Sequence, residues 1–365
     1  MVLFDREKLK LVVSDFHLGR GPYLPDGRRN YLEDFFSDRQ FCEFLEHYHK
    51  GRYKGAEVEL IINGDFFDHL QVDPDEFDPT YVNERVALAR TNAIIDGHPE
   101  VFEALKEFCN APRHSITFII GNHDIGLFFP LVRKRVEEFI GERCKVLVEP
   151  IYCTDGLCVE HGNGWTVENW IDYKKPLVEG RDGEMIVDLP WGSLFQVHYL
   201  NKVKRERPYI SRVYPFKHYL IWGLMHDTWF SLKAFFTMLG YFFKAMLRIG
   251  ENRQFTSRHT LRVIRQFSFP MNLRRAAKLI LDSNPNCQCV VLGHGHKALQ
   301  RQFVDGREYI NTGLWNEMIS LDIGTMGRYL RFTFAEIEYD KSGLPHSKLR
   351  EWHGHYREVE DSVSI

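Results

Sequence analysis

Five apolar runs in this chain end at side chains able to hold a cation. Asp15 and His17 follow Leu11-Val12-Val13-Ser14, and Asp65 follows Ile61-Ile62-Asn63-Gly64. Asn122, His123 and Asp124 follow Phe118-Ile119-Ile120-Gly121; His161 follows Leu157–Val159; His294 and His296 follow Val290-Val291-Leu292-Gly293. One strand that ends in Gly-Asp is an ordinary turn. The recurrence at five strand ends is hard to explain as turn chemistry, and at Gly64, Gly121 and Gly293 a glycine lets the ligand leave its strand at once and aim at a shared centre. Nitrogen and oxygen donors in this mixture suit two borderline divalent cations. Calcium prefers oxygen alone, and a closed zinc site would use thiolates. Manganese is the first expectation, with iron or zinc as alternatives.

The elements that must carry these residues can be read from periodicity. Leu9–Val13, Val58–Ile62, Ile116–Ile120, Leu157–Val159 and Val290–Leu292 read as buried strands. Phe35–His49, with Phe41, Phe44, Leu45 and Tyr48 at one-face spacing, reads as a helix, as do Glu84–Ile95, Pro99–Asn110 and Leu127–Ile140. His47 and His49 fall on the first of these as surface residues. Asp68 and His69 lie close enough to Asp65 to support the site from behind. Leu299–Val304 and Arg307–Ile310 read as a hairpin across Asp305-Gly306, and Tyr329–Tyr339 as a strand.

The 365 residues suffice for a full core and a second domain, and a net charge of −3 fits a globular protein. Seven scattered cysteines with no Cys-x-x-Cys pair fit free thiols in a reducing compartment. The first residues lack a signal-peptide pattern, so a cytoplasmic location is expected, with the inner membrane face as an alternative station. Nothing in the sequence sets an oligomeric state.

The blocks Asp15-x-His17, Gly64-Asp65, Gly121-Asn122-His123-Asp124, His161 and Gly293-His294-x-His296 together resemble the calcineurin-like metallophosphoesterases. Asn311-Thr-Gly313-Leu-Trp315-Asn316 resembles that family's closing segment, which packs under the metals. The resemblance covers about half the chain. It implies an α/β fold, a four-layer α/β/β/α sandwich, with ligands on loops at strand ends. It implies that Asp15, His17 and His296 hold one metal, that Asn122, His161 and His294 hold the other, and that Asp65 bridges them. It further implies that His123 faces the substrate as a charge stabiliser or proton donor, with Asp124 orienting its ring. Two such cations could clamp a phosphoryl group and activate a water.

This catalytic unit would comprise residues 1–164 and 286–345, with 346–365 a surface tail. Residues 165–285 exceed what the fold needs and would form a helical cap. Their charge differs from the rest: nineteen Lys and Arg stand against ten Asp and Glu, an excess of nine, which leaves −12 elsewhere. Such asymmetry points to an anionic partner. Within the cap, 218–249 reads as one apolar, aromatic helix with a thin basic stripe. Trp222, Trp229, Lys233, Lys244 and Arg248 are the candidates for lipid contact on a membrane surface. The competing reading is a buried cap core. Nucleic acid is disfavoured, since a greasy helix is neither a stacking sheet nor a groove reader.

The apolar, basic insertion also resembles that of the enzymes that cleave UDP-2,3-diacylglucosamine, although those commonly carry Arg where this chain has His123 and are shorter. The expected activity is two-metal hydrolysis of a phosphoester or pyrophosphate on a phosphorylated or lipid-linked small molecule. The alternatives are a soluble phosphodiesterase for nucleotides or small diesters and, beyond it, a non-enzymatic scaffold.

Overall fold

A computed structural model describes residues 8–72, 78–247, 257–268, 272–322, 324 and 326–354. The strands are β1 (Lys8–Val13), β2 (Glu57–Asn63), β3 (His114–Ile119), β4 (Cys144–Leu147), β5 (Ile151–Thr154), β6 (Leu157–Glu160), β7 (Leu177–Glu179), β8 (Met185–Val187), β9 (Val213–Tyr214), β10 (Cys289–Leu292), β11 (Leu299–Gln302), β12 (Glu308–Asn311), β13 (Met318–Ser320), β14 (Gly327–Tyr329), β15 (Phe332–Tyr339) and β16 (Pro345–Trp352). The helices are α1 (Asp38–His49), α2 (Glu84–Gly97), α3 (Pro99–Asn110), α4 (Pro130–Ile140), α5 (Trp191–Phe195), α6 (Asn201–Glu206), α7 (Phe216–His226), α8 (Thr228–Met246), α9 (Ser257–Ser268) and α10 (Leu273–Ser283).

Two sheets face each other. The first runs β16-β15-β1-β2-β3-β4, with β1 to β4 parallel and β15 and β16 antiparallel at one edge. The second runs β11-β12-β10-β6-β5, with β10 parallel to both neighbours. Alternation along each strand sorts the side chains. Leu11, Val13, Leu60, Ile62, Ile116 and Phe118 face the helical layer that contains Phe41, Phe44 and Leu105. Val12, Ile61 and Ile119 face the other way and pack against Val159, Val291 and Ile310 of the second sheet. Burial on both faces explains why the central strands read as unbroken apolar runs. Each such side chain contributes about 1.5–3 kcal/mol relative to an exposed one. On the far side, Ala276, Ala277, Ile280 and Leu281 of α10 cover Val290 and Leu292. The order of layers is helix, sheet, sheet, helix.

The element boundaries differ from the sequence reading in several places. α10 falls inside the stretch assigned to the cap yet packs on the second sheet, because its small and aliphatic residues share one face. Residues 346–352, assigned to the tail, belong to β16, whose Leu349 and Trp352 are buried. Its alternation is masked by charged residues on the open face. Cys153 and Cys158 sit opposite each other across the β5–β6 hairpin and form a disulfide, contrary to the expectation of seven free thiols. The single helix expected over 218–249 is two helices, broken at Asp227. That residue leaves the helical region (φ −141°, ψ 55°) and pairs with Arg207 at 2.7 Å. His226 is therefore not on the stripe of Lys233 and Lys244.

The inserted stretch is fastened to the body. Val187, Leu189, Trp191, Leu194 and Tyr241 join the same apolar cluster as α1 and α3. Lys204 on α6 is fully buried and donates to the Leu32 carbonyl (3.1 Å), to Asp34 (2.6 Å) and to Gln71. Arg212 donates to the other Asp34 oxygen at 2.9 Å. Burial raises the Asp34 carboxyl, but Lys204 and Arg212 outweigh it and hold the group below its ordinary value.

Candidate active site

The ligand loops are stitched to each other by backbone. Asp15 N–H donates to the Gly64 carbonyl (3.1 Å), His17 N–H to Asp65 (2.9 Å) and Gly293 N–H to His161 (3.0 Å). The loops follow adjacent parallel strands, so β1, β2, β3, β6 and β10 deliver their ends to one place. Glycine is required at two of these turns. A side chain on Gly64 would run into the His161 ring, and one on Gly121 into the Asp65 carboxylate. Seven non-glycine residues among those described have left-handed backbone, and five are the expected ligands Asp15, His17, Asp65, His294 and His296 (φ 52–60°). Such conformations persist where the surroundings over-determine them, and they gather at functional sites.

Three groups of side chains have ligand atoms within 4.8 Å of one another: Asp15, His17 and His296; His17, Asp65 and His123; and Asp65, His161 and His294. Asp65 is common to the last two. Asp15 Oδ1 lies 3.3 Å from His296 Nε2, and Asp65 Oδ2 lies 3.1 Å from His161 Nε2 and 3.9 Å from His17 Nε2. Asn122 is buried beside them. His17 Nε2, His161 Nε2 and the Asn122 side-chain oxygen are all buried without a hydrogen-bond partner. A buried polar atom left unpaired is costly, and three such atoms, two of them facing Asp65 Oδ2, fit bound cations. The tautomers agree. His161 Nδ1 faces the Asn63 carbonyl at 2.9 Å, leaving Nε2 for the centre, while His294 Nε2 faces Thr166 Oγ1 at 3.2 Å, leaving its other nitrogen.

The charges are strongly coupled. Burial raises Asp65, but His161, His123 and His17 hold it well below the carboxylate range. Burial lowers His161, and Asp65 and Asp15 raise it to about 10. Burial also holds His294 down, at about 3.

His123 is in place, but its partner is not Asp124. The Asp124 carboxylate accepts backbone N–H groups from Asp65 (2.5 Å), Phe67 (2.7 Å) and Gly121 (2.9 Å), so it clamps two ligand loops together. Asp68 faces His123 Nδ1 at 3.0 Å and His17 Nδ1 at 3.3 Å. Burial lowers His123, but Asp68 and Asp65 raise it to about 9. His69 is held at about 3 by burial; its ring meets Thr91 Oγ1 and accepts the Gly126 N–H, and its backbone N–H donates to the His123 carbonyl at 3.3 Å.

Glu33 is missing from the sequence reading. It is buried and accepts the N–H groups of Gly19 and Gly21, fixing the turn after His17. His98 backs it at 3.4 Å. A glutamate in a loop carries no local signal of this. The closing segment lies where expected: Thr312 Oγ1 meets Ser14 Oγ at 2.6 Å, Asn316 donates to the Phe16 carbonyl, and Trp315 stacks on Phe16.

The lipid-contact candidates lie apart from this constellation, on α7 and α8. Trp222 and Trp229 are exposed, Lys233 pairs with Glu206 at 2.6 Å, and Lys244 is exposed. Arg248 lies outside the described residues. Phe230, Tyr241 and Ala245 of the same helix are buried, so α8 belongs partly to each of the two readings.

Among solved structures, the chain is similar to a conserved predicted phosphoesterase from Streptococcus pneumoniae (10% identity, 99% of each chain, TM-score 0.32). It is also similar to a dimetal phosphatase from Danio rerio (12% identity, 96% of each chain, TM-score 0.36) and to a metallophosphoesterase from Sphaerobacter thermophilus (11% identity, 95% of this chain and 89% of that one, TM-score 0.29). No curated protein matches the sequence. The family model for calcineurin-like phosphoesterases matches residues 10–298. That span runs from the first strand through the last of the histidines gathered above, and on it the chain belongs to the calcineurin-like phosphoesterase family, as a metal-dependent phosphoester hydrolase.

Proposed function

We propose that the protein hydrolyses a phosphoester or pyrophosphate bond in a lipid-linked substrate at an anionic membrane surface, using two divalent cations, manganese first. The observation that carries the lipid part is the outer face of α7 and α8. Ile221, Trp222, Met225, Trp229, Phe236 and Phe243 are each at least half exposed there. Scattered exposed apolar residues are ordinary, but six large ones on two consecutive helices that also carry Lys233 and Lys244 suit an interface of acyl chains and headgroups. Among the described residues no helix is long and apolar enough to cross a membrane, so the contact would be made from the surface.

Asp15, His17 and His296 would hold one cation, and Asn122, His161 and His294 the other, with Asp65 shared. When bound, the pair supplies an activated water and neutralises phosphoryl charge. His123 donates a proton to the leaving oxygen, and Asp68, 3.0 Å from its Nδ1, keeps the ring turned. Asp124 holds the Asp65 and Gly121 loops at fixed separation.

The test is manganese-dependent hydrolysis of bis-p-nitrophenyl phosphate and of UDP-2,3-diacylglucosamine by wild type and His123→Ala. The reading expects turnover of the lipid, reduced about 10²–10⁴-fold in the variant. The loss should be smaller for p-nitrophenolate, which leaves without a proton. Turnover of the small diester alone would keep the hydrolase and remove the lipid.

A further inference from the structure

The loop after His17 and helix α6 enclose a cleft of about 700 Å³ that hydrolysis at the metals does not use. Its charged lining is one-sided. Among the described lining residues, Arg20, Arg28, Arg29 and Arg205 contribute guanidinium groups and Asp26 a carboxylate, with Arg205 already engaged in an interaction of its own. Asp26 is already engaged by Arg28, whose Nε donates to it at 2.6 Å. Arg20 and Arg29 make no side-chain hydrogen bond or ion pair with another described residue.

The loop that presents them is built rather than loose. The Asn30 N–H donates to the Pro22 carbonyl (2.9 Å) and its side chain to the Gly21 carbonyl (2.9 Å). Leu24 N–H donates to the Arg28 carbonyl at 2.8 Å, and Tyr23 bridges Arg29. Glu33 fixes the start of the loop at Gly19 and Gly21.

The cleft is also next to the chemistry. Arg20 is three residues beyond His17. Gln71 lines the cleft and donates its amide to Asp68 Oδ2 at 2.5 Å, and Asp68 faces both His17 and His123. The wall of the cleft is thus linked through Asp68 to the proton donor.

We infer that this cleft binds a second anionic group of the substrate, a phosphate other than the one being cleaved. Guanidinium forks match phosphate oxygens two at a time, and unpaired arginines facing one cavity favour such a group over a neutral one. The inference rests on the hydrolase reading above and adds to it a preference for substrates carrying two anionic groups.

The test compares full-length wild type with Arg20→Ala/Arg29→Ala, the first half-buried and the second exposed. Calorimetric titration with inorganic pyrophosphate should show affinity at least about tenfold weaker in the variant, while KM for bis-p-nitrophenyl phosphate stays within twofold. Equal pyrophosphate affinity in the two proteins would overturn the inference. So would a matching rise in KM for the single-phosphate diester, which would mean that the arginines serve the scissile group. A third arm uses phosphatidylglycerol vesicles: loss of vesicle binding with pyrophosphate binding intact would assign the arginines to headgroups and likewise overturn it. If wild type hydrolyses nothing, the hydrolase reading fails by itself, and the titration still decides the cleft.

Discussion

Asp65 and Trp229 stand at opposite extremes of this molecule: the carboxylate is 1% exposed and the indole 86%. Around Asp65 the carboxylate is met by the His123 N–H and by histidine ring nitrogens, while His17 Nε2, His161 Nε2 and the Asn122 oxygen are left for a cation to complete. Along the helix of Trp229, Phe230, Ser231, Tyr241 and Ala245 are kept for the core, and Phe235, Phe236 and Phe243 are turned outward. The buried region is specified by mutual contact within the chain. The exposed one has the form of half a contact, to be completed from outside. If a membrane completes it, as proposed, chemistry and localisation are divided between two parts of one fold, and each can be disturbed without the other.

The strongest test of that division is Asp65→Asn. It removes a charge shared by both ligand groups, and turnover of every substrate should fall by about 10³-fold or more. Binding to phosphatidylglycerol vesicles, read by sedimentation, should not change. A parallel loss of vesicle binding would show that the two regions are not independent.

His98 probes the support beneath the metal loops. Burial lowers its pKa, and Asp38 at 2.6 Å together with Glu33 raises it to about 9. A folded value above the unfolded one means stability that is fully present below about pH 6.5 and is lost as pH rises through about 9. His98→Gln should cost on the order of 2 kcal/mol at pH 6 and much less at pH 10. Melting temperatures across that range check it, and a difference independent of pH would contradict it.

The smallest effect belongs to the exposed face. Trp229→Ser/Phe236→Ser should weaken vesicle binding about tenfold, and leave hydrolysis of bis-p-nitrophenyl phosphate as it was. Unchanged vesicle binding would leave the aromatic face without a membrane role.

The same division governs what could be read from the sequence. The seven candidate ligands were legible because each follows its strand within a few residues, and glycines mark the turns. The pairing behind His123 was not. Asp124 is its chain neighbour, yet Asp68 faces it, since adjacent side chains on a tight turn diverge. Long-range fastenings were invisible as well. Lys204 and Asp34 are 170 residues apart, and Glu33 acts through backbone groups that leave no trace in composition. The break at Asp227 interrupts a run whose apolar content alone reads as continuous. In β16, charges on the open face hid an alternation that ends in a buried tryptophan.

The left-handed backbone at Asp15, His17, Asp65, His294 and His296 bears on how catalytically silent versions of the protein should be made. Alanine there removes a ligand and also places a residue with no liking for that region of φ and ψ, so a loss of activity would mix missing metal with a reshaped loop. Asparagine accepts the same conformation with a short polar side chain, and glycine accepts it freely. Glycine would keep the loop and delete the donor, while asparagine would keep the loop and remove the charge or the imidazole, which suits both to trapping a bound substrate.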